Sequence, residues 1–434
     1  MAMVVKNNMS AVRTLNVLNQ NSTALQKSLT KVSSGMKINT AQDDASGYAI
    51  SERMRVRIRS LDQANQNSQN DSALMKTAEG AVSNTIEILK TLKEKAINAA
   101  NDSNTEEDRQ TIQKEVDQFI DQIDDNALVQ FNGKYLVDGS KNHVVSASKT
   151  ILLNQSLSTL SSSASALTQL ANRAGDMLEI QSTDKYQVSW VTNGVTTTSS
   201  GTVGTLALSA LLNLPGGVAT SEQTGSAPTT IGTNKFNVAI YTPDKAAGIA
   251  LLSETPGVTN QISGFTISIM DTDGNIKKAA NAALDQFKQY QRAENESGDK
   301  SLTFHVGSEA NVAIKVGMTD MRAEALGLKG NDNTKLSVTT KEKANAAINV
   351  IENAITKALD QATTIGAIEA RLEFTSANLT TSSENVQASE STIRDADMAK
   401  EMTNYTKNNV LLQSAQAMLA QANQNSSAVL SLLQ

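Results

Sequence analysis

The 434-residue chain contains no cysteine, so disulfide and thiolate chemistry are excluded. Its two histidines, His143 and His305, lie far apart in sequence. A multi-histidine metal centre or a histidine-based triad is therefore not expected, and no HExxH, Walker or dinucleotide fingerprint is present. Aromatic residues make up 3% of the chain, a poor supply for a large compact core. Aliphatics, Ala, Gln, Asn and Ser take their place, a balance that favours long helices. The net charge of −6 argues against nucleic acid as a partner. The N-terminal MAMVVKNNMS lacks the apolar core of a cleavable secretory signal. Asn408–Gln434 carries no charge, but Gln413, Gln416, Gln421, Asn423, Gln424 and Asn425 break every apolar run. Membrane insertion is not expected.

Helix breakers are concentrated in the middle. All four prolines lie between Pro215 and Pro256, and 17 of 23 glycines lie between Ser140 and Gly330. The ends are nearly free of both, which predicts long helical arms around a loop-rich insertion. The arms carry 3,4-spaced seams. One is Leu15, Leu18, Ser22, Leu25, Leu29, Val32 and Met36. Another begins Met398, Met402 and Tyr405 and continues through Leu412, Leu419, Leu430 and Leu433. Between them run Leu74, Ala78, Ala81, Thr85, Ile88 and Leu92; Ile112, Val116, Phe119, Ile120 and Ile123; and Ile348, Ile351, Ile355, Ala358, Ala362 and Ile365. In the middle, YQVSWVTNGVTTTSS alternates around Asn193-Gly194, and FTISIMDTDGNI around Asp273-Gly274, both hairpin signals. Leu152–Leu178 and Lys277–Tyr290 look helical. The expected fold is mainly α: a coiled-coil and helical-rod core built from both termini, with an inserted mixed α/β, mostly β, outer domain. The expected division is 1–42 with 394–434, 43–140 with 301–393, and 141–300.

The terminal arms have too few apolar side chains to offset the entropy of ordering alone, so they are expected to fold against copies of the chain. Residues 1–42 hold five basic residues and no acid, and Gln, Asn and Ser fill the positions where charges flank an exposed coiled coil.

SSGMKINTAQDDASGYAISERM interrupts the first seam. Asp43 and Asp44 are adjacent, so on a helix they diverge and make a poor catalytic pair. Thr40 is read instead as a helix cap, with Asp43 at the capping-box position and both acids on the positive dipole end. Gly35 ends one helix, Asn39 lies in the crossover and Gly47 permits close packing. Arg53/Arg57 and Arg55/Arg59 form two pairs on neighbouring faces, suited to salt bridges between subunits with acids such as Glu106, Glu107 or Asp108.

LNQNSTALQKSLTKVSSGMKINTAQDDASGYAISERM resembles the N-terminal signature of bacterial flagellins, and VLLQSAQAMLAQANQNSSAVLSLLQ resembles their C-terminal signature. FNGKYLVDG, LTFHVGSEA and MRAEALGL resemble the segments flanking their variable domain. The resemblance implies a helical homopolymer, the flagellar filament, whose paired termini line a central channel. It also implies passage through the flagellar type III export apparatus, a secretion chaperone on the C-terminal segment, and contact with filament cap and hook–filament junction proteins. QANQNSSAVLSLL favours flagellin over the junction proteins. Some flagellins are read by a host Toll-like receptor. There the family pattern has an arginine where this chain has Thr91 and a leucine where it has Lys95, while Glu115 is retained, which implies weak activation.

Two other classes were weighed against a structural subunit. A zinc-protease insertion lacks its motif here. An adhesin in the central domain has no ligand that the sequence names. DTDGN (Asp271–Asn275) imitates a calcium loop without its terminal glutamate, so a turn is expected. Ser161–Ser165 and Thr196–Ser200 read as exposed loop or hairpin rather than as glycosylation sites. No cofactor and no catalytic residue are expected.

Overall fold

The computed structural model describes residues 8–159, 161, 163–213, 219–224, 230–243 and 248–432. Its helices are α1 (Met9–Ser34), α2 (Ala45–Ala99), α3 (Glu106–Ala127), α4 (Leu208–Leu212), α5 (Lys278–Leu284), α6 (Lys341–Arg394) and α7 (Met398–Leu432). Its strands are β1 (Gln130–Phe131), β2 (Lys134–Tyr135), β3 (Ile151–Asn154), β4 (Lys185–Thr192), β5 (Val195–Thr202), β6 (Ala219–Thr224), β7 (Thr230–Thr233), β8 (Ala239–Tyr241), β9 (Gly248–Ser253), β10 (Ile262–Met270), β11 (Lys288–Gln291), β12 (Leu302–His305) and β13 (Ala313–Val316). The chain is mainly α, with small antiparallel sheets between long terminal helices, as expected. It divides into two compact units. One is Met1–Asn67, Val306–Val312 and Phe374–Gln434, and the other is Ser68–His305 and Ala313–Glu373.

In the first unit, α1 and α7 pair along their length, and the start of α2 packs on the end of α6. Leu61, Ala64 and Leu379 form a small apolar cluster there, with Val386 against it. Polar side chains complete the contact. Ser376 donates to Asn65 at 2.6 Å, and Ser383 to Asp62 at 2.9 Å.

In the second unit, the remainders of α2 and α6 pack with α3. The seam predicted on α2 is buried at Leu74, Ala78, Ala81, Thr85 and Leu92. It is wider than predicted, because Met75, Val82, Leu89 and Ala96 are buried beside it. Such a broad stripe suits a helix covered on two sides rather than a two-stranded coil. Helix α3 opens on a capping box of Thr105 and Asp108 and buries Val116, Ile120 and Ile123. The segment Met321–Val338 is strapped to α3 by Lys329–Asp124 at 3.1 Å and Lys335–Asp121 at 2.6 Å. Gln113 joins the strap, accepting from Val338 N at 2.6 Å and donating to the Leu336 carbonyl at 2.9 Å.

The sheets of this unit run β10-β4-β5 and β11-β3-β9-β6, with pairs β1-β2, β7-β8 and β12-β13. Asn193 and Gly194, both at positive φ, turn β4 into β5, the hairpin that the sequence announces. Trp190, Phe265, Leu208, Leu212 and Leu251 anchor the main core, and Phe265 meets Phe287 edge-on at 5.0 Å. Strand β3 is buried on both faces. Leu152 enters the main core, while Ile151 and Leu153 enter a second cluster with Ile231 and Leu252. Asn349 and Asn353 of α6 donate to the carbonyls of Phe265 and Ser263, fixing β10 on the helix.

Three expectations are corrected. Leu152–Leu178 is not a helix but strand β3, loops and a short 3-10 turn at Leu167–Gln169. Its leucines fill the sheet core from irregular backbone, and buried Asn154 takes the carbonyls of Ala283 and Leu284. Of Lys277–Tyr290, the helix ends at Leu284, and Lys288 enters the sheet as an edge strand. Asp273-Gly274 turns the chain, but only the Met270–Ile276 bridge follows before α5. The Asp271 carboxylate is taken by the backbone N–H groups of Asp273 and Asn275, a self-contained turn.

Lys357 of α6 is 6% exposed and donates to the Ala325 carbonyl at 2.8 Å. Burial pushes its ammonium down to about 8. Below that value both folded and unfolded chains hold the proton, and the folded state bears the desolvation cost. Between pH 8 and the ordinary lysine range only the unfolded chain stays protonated, so stability rises with pH. Lys357→Met is expected to flatten that rise. It relieves about 3 kcal/mol of cost at neutral pH, offset by about 1–2 kcal/mol for the lost carbonyl bond. Urea unfolding across this pH range checks it.

Candidate functional site: the terminal pair and its joint

Helix α1 begins at Asn8, whose side chain accepts from Ala11 N at 3.0 Å. Three bonds show that it runs antiparallel to α7. Asn8 donates to the Ala422 carbonyl at 3.2 Å, Asn21 to the Leu411 carbonyl at 3.2 Å, and Asn408 to Ser28 Oγ at 3.0 Å. The line of α1 that faces α7 is half-buried Leu18, Asn21, Leu25 and Val32 with buried Ser28. That of α7 is Tyr405, Asn408, Leu412, Ala415 and Leu419. The seam thus mixes apolar side chains with Asn21, Ser28 and Asn408, and of these ten residues only Ser28 and Ala415 are buried.

The other apolar positions lie outside this pair. Leu15 and Leu29 are 45% and 52% exposed, and Met398 and Met402 are 43% and 46% exposed. Val12, Val410 and Met418 are also exposed. The predicted seam residues therefore fall into two groups. Leu18, Leu25, Val32, Tyr405, Leu412 and Leu419 serve the intramolecular pair. Leu15, Leu29, Met398 and Met402 leave apolar surface free. Leu430 lies on the α7 backbone, its side chain outside the described residues, and Leu433 lies outside them altogether.

The joint follows α1. Gly35 adopts φ +72°, the left-handed conformation that glycine takes without penalty, and its N–H reaches the Lys31 carbonyl. The next residues pair with the stretch after α6. Lys37 N donates to the Arg394 carbonyl at 2.8 Å, and Ala396 N donates to the Gly35 carbonyl at 2.9 Å. The two crossovers are therefore one short antiparallel ladder. Arg394 pins it from within. Its guanidinium is 8% exposed, meets Glu52 at 2.7 Å, and lies over the Tyr48 ring at 5.6 Å, with Met36 Sδ at 3.1 Å.

The predicted cap is displaced by one turn. Thr40 does not cap α2. Asp43 Oδ2 accepts from Asn39 N, Thr40 N and Thr40 Oγ1, closing the turn before the helix. Asp44 is the capping residue, accepting from Ser46 N and Gly47 N, both at 3.0 Å. The two acids divide the work because three residues of turn separate Thr40 from the first helical N–H groups. A Cβ on Gly47 would stand 2.7 Å from Ile38 Cδ1 and press on the Asp44 carboxylate, so a larger residue there would displace the capping side chain. Asn39 also donates its amide to the Met36 carbonyl. Asp397 caps α7 in the same manner, accepting from Lys400 N.

Arg55 bridges Glu52 on its own helix. Arg53, Arg57 and Arg59 are exposed and have no ion-pair partner among the described residues. Arg394, Glu52 and Tyr48 were not singled out from sequence. The available signal was that Arg394 is the sole basic residue between Arg371 and Lys400, at the close of a long helix and just before Asp-Ala-Asp.

In the second unit, Thr91 and Lys95 lie on α2 and Glu115 on α3. Lys95 forms an ion pair with Glu115. His143 stacks on Phe236, and His305 is exposed on β12.

Residues 5–142 match the model of the bacterial flagellin N-terminal helical region, and residues 348–433 that of the C-terminal helical region. A flagellin of Clostridium tyrobutyricum is 34% identical over 97% of this chain and 99% of its own length. The chain belongs to the bacterial flagellin family. A flagellin of Bacillus subtilis (strain 168) is 30% identical over 99% of this chain and all of its own. Among solved structures, hook-associated protein-3 of Legionella pneumophila covers 78% of this chain and 97% of its own, at 17% identity and a TM-score of 0.34. Flagellin is a structural protein of the extracellular flagellar filament and polymerises with itself; it is not an enzyme. No helix among the described residues is long and apolar enough to cross a membrane.

Acid should loosen this joint. The Arg394 hydrogen bond holds the Glu52 carboxyl below its ordinary value. At Asp43, desolvation acts upward, but the bonds from Thr40 and Asn39 together outweigh it and hold the carboxyl down. Both contributions are present above the ordinary carboxylate range and are lost as pH falls through the lowered values. Arg394→Met should mimic acid at neutral pH, at a cost on the order of 1–3 kcal/mol. Protection of the Lys37 and Ala396 amides, taken relative to intrinsic exchange at each pH, should fall in the variant, and in the wild type as pH drops through the lowered carboxyl values.

Proposed function

We propose that this flagellin polymerises through the apolar positions its α1–α7 pair leaves uncovered, and that assembly completes the folding of the two terminal helices. The observation that carries this is the exposure of Leu15, Leu29, Met398 and Met402 on helices whose alternate positions are already paired. A half-polar seam with two covered residues gives a weak pair, and each neighbouring copy adds apolar burial at about 25 cal/mol per Å². On this reading 1–42 and 394–434 form the inner polymerising layer. Residues 43–140 and 301–393 form a second helical layer with its β-hairpin, and 141–300 form an outward insertion. The joint at Gly35, Asn39, Asp43, Asp44 and Gly47 passes the chain between the layers, and Arg53 and Arg57 meet carboxylates of neighbouring copies. Export is by the flagellar type III apparatus, with a chaperone on the C-terminal segment, and the cap and hook–filament junction proteins are the other partners.

Leu15→Asp with Leu29→Asp should leave monomer helicity unchanged and abolish filaments under electron microscopy. Leu25→Asp, on the internal seam, should lower monomer helicity as well. Filaments of normal length from the double variant would sink the proposal.

Activation of a host Toll-like receptor is expected to be weak, because Lys95 occupies Glu115 through its ion pair and Thr91 offers no guanidinium. Reporter-cell titration of wild type against Thr91→Arg/Lys95→Leu should show the variant to be the stronger activator by about tenfold or more.

A further inference from the structure

Two places in the sequence read Asn-Gly: Asn132-Gly133 and Asn193-Gly194. The dipeptide is chemically labile, because no side chain shields the glycine nitrogen. Once that nitrogen gives its proton to solvent base, it can attack the asparagine carboxamide carbon. The new N–Cγ bond closes a succinimide ring, the Cγ–Nδ2 bond breaks, and ammonia leaves with a proton returned by water. Water then opens the ring at either carbonyl, giving aspartate or isoaspartate. The structure decides how readily each pair can do this.

Locally the two pairs are matched. Asn132 and Gly133 lie at φ +49° and +74°, and Asn193 and Gly194 at φ +53° and +75°. Each pair makes the two-residue turn of an antiparallel hairpin, β1–β2 in one case and β4–β5 in the other. Their surroundings differ. Strands β4 and β5 are joined through eight residue pairs, from Lys185–Thr202 to Thr192–Val195. Asn193 Oδ1 accepts from Asn331 N at 2.8 Å, which fixes the carboxamide. Gly194, whose nitrogen would have to lose its proton, is buried, and a Cβ built on it would strike the Thr334 carbonyl oxygen.

The first turn has none of these restraints. Strands β1 and β2 share two residue pairs, Gln130–Tyr135 and Phe131–Lys134, and one further bond runs from Leu136 N to the Val129 carbonyl at 3.3 Å. Asn132 and Gly133 are both exposed. The Asn132 side chain makes no hydrogen bond among the described residues, and apart from its chain neighbours nothing lies within 4 Å of a Cβ built on Gly133. Ring closure requires the backbone to rotate out of the turn so that the carboxamide and the next nitrogen can meet. A hairpin this short opens locally at a small fraction of the free energy of global unfolding. The longer hairpin cannot open at its turn without also releasing Asn331 and exposing Gly194.

We infer that Asn132 is a modification site, deamidating spontaneously to aspartate and isoaspartate in the folded chain, while Asn193 is protected. Each event adds a negative charge, and isoaspartate also inserts a methylene into the hairpin backbone beside the Phe131–Lys134 pair. The inference does not depend on polymerisation, and its test uses the monomeric full chain. After incubation in warm, mildly alkaline buffer, peptide mass spectrometry should show the amide-to-acid mass gain at Asn132 about tenfold or more faster than at Asn193. Protein isoaspartate methyltransferase with labelled S-adenosylmethionine should mark the Asn132 peptide. Asn132→Gly, which suits the same turn, should remove that label and leave the circular dichroism unchanged. In concentrated guanidinium chloride the two rates should draw together, because only the fold separates them. Equal rates in the folded chain, or faster conversion at Asn193, would overturn the inference. So would an unchanged Asn132 in the folded chain while the denatured chain converts, or rates that stay apart in denaturant.

Discussion

One buried guanidinium holds the joint between the terminal helices of this flagellin together. Arg394 reaches Glu52, Tyr48 and Met36, and its own carbonyl takes the Lys37 N–H. Both crossovers of the chain are thereby fastened to one side chain and a three-residue ladder. An arginine suits this place because its planar head can pair with a carboxylate on its edge and lie over a ring on its face. The carboxylate caps on either side then start α2 and α7 at fixed positions relative to that pin. Helices that carry subunit contacts over many turns need such fixed starting points, since an error in the first turn persists along the whole face.

The terminal pair is held loosely by comparison. Its seam intersperses leucine with Asn and Ser, and two of its asparagines, Asn8 and Asn21, bond to backbone carbonyls of the opposite helix. Such a seam specifies direction and register more strongly than it contributes stability. The apolar residues that would make a firm two-helix coil are turned elsewhere. The proposed polymerisation would thus draw on surface that the pair leaves unused.

Much of this was legible in the sequence, for identifiable reasons. The breaker-free arms, the Gly35 stop and the Asn193-Gly194 hairpin depend on local chemistry, and local chemistry is written in short stretches. The wider burial on α2 was legible only in part, because a heptad does not disclose how many neighbours a helix has. Asp44 as the cap, rather than Thr40, turned on the length of a turn that no residue type announces. Leu152–Leu178 misled because its leucines recur at helical spacing while serving a sheet core from loops. Arg394 escaped notice because its partners, Glu52 and Met36, lie more than 340 residues away in the chain.

The antiparallel pairing of α1 with α7 joins residues 414 positions apart at Asn8 and Ala422. The first helix made is therefore completed by the last. A chain that ends before α7 carries an α1 with no mate, however well its middle has folded. Pairing of the first helix with the last therefore waits until the chain has been made through α7.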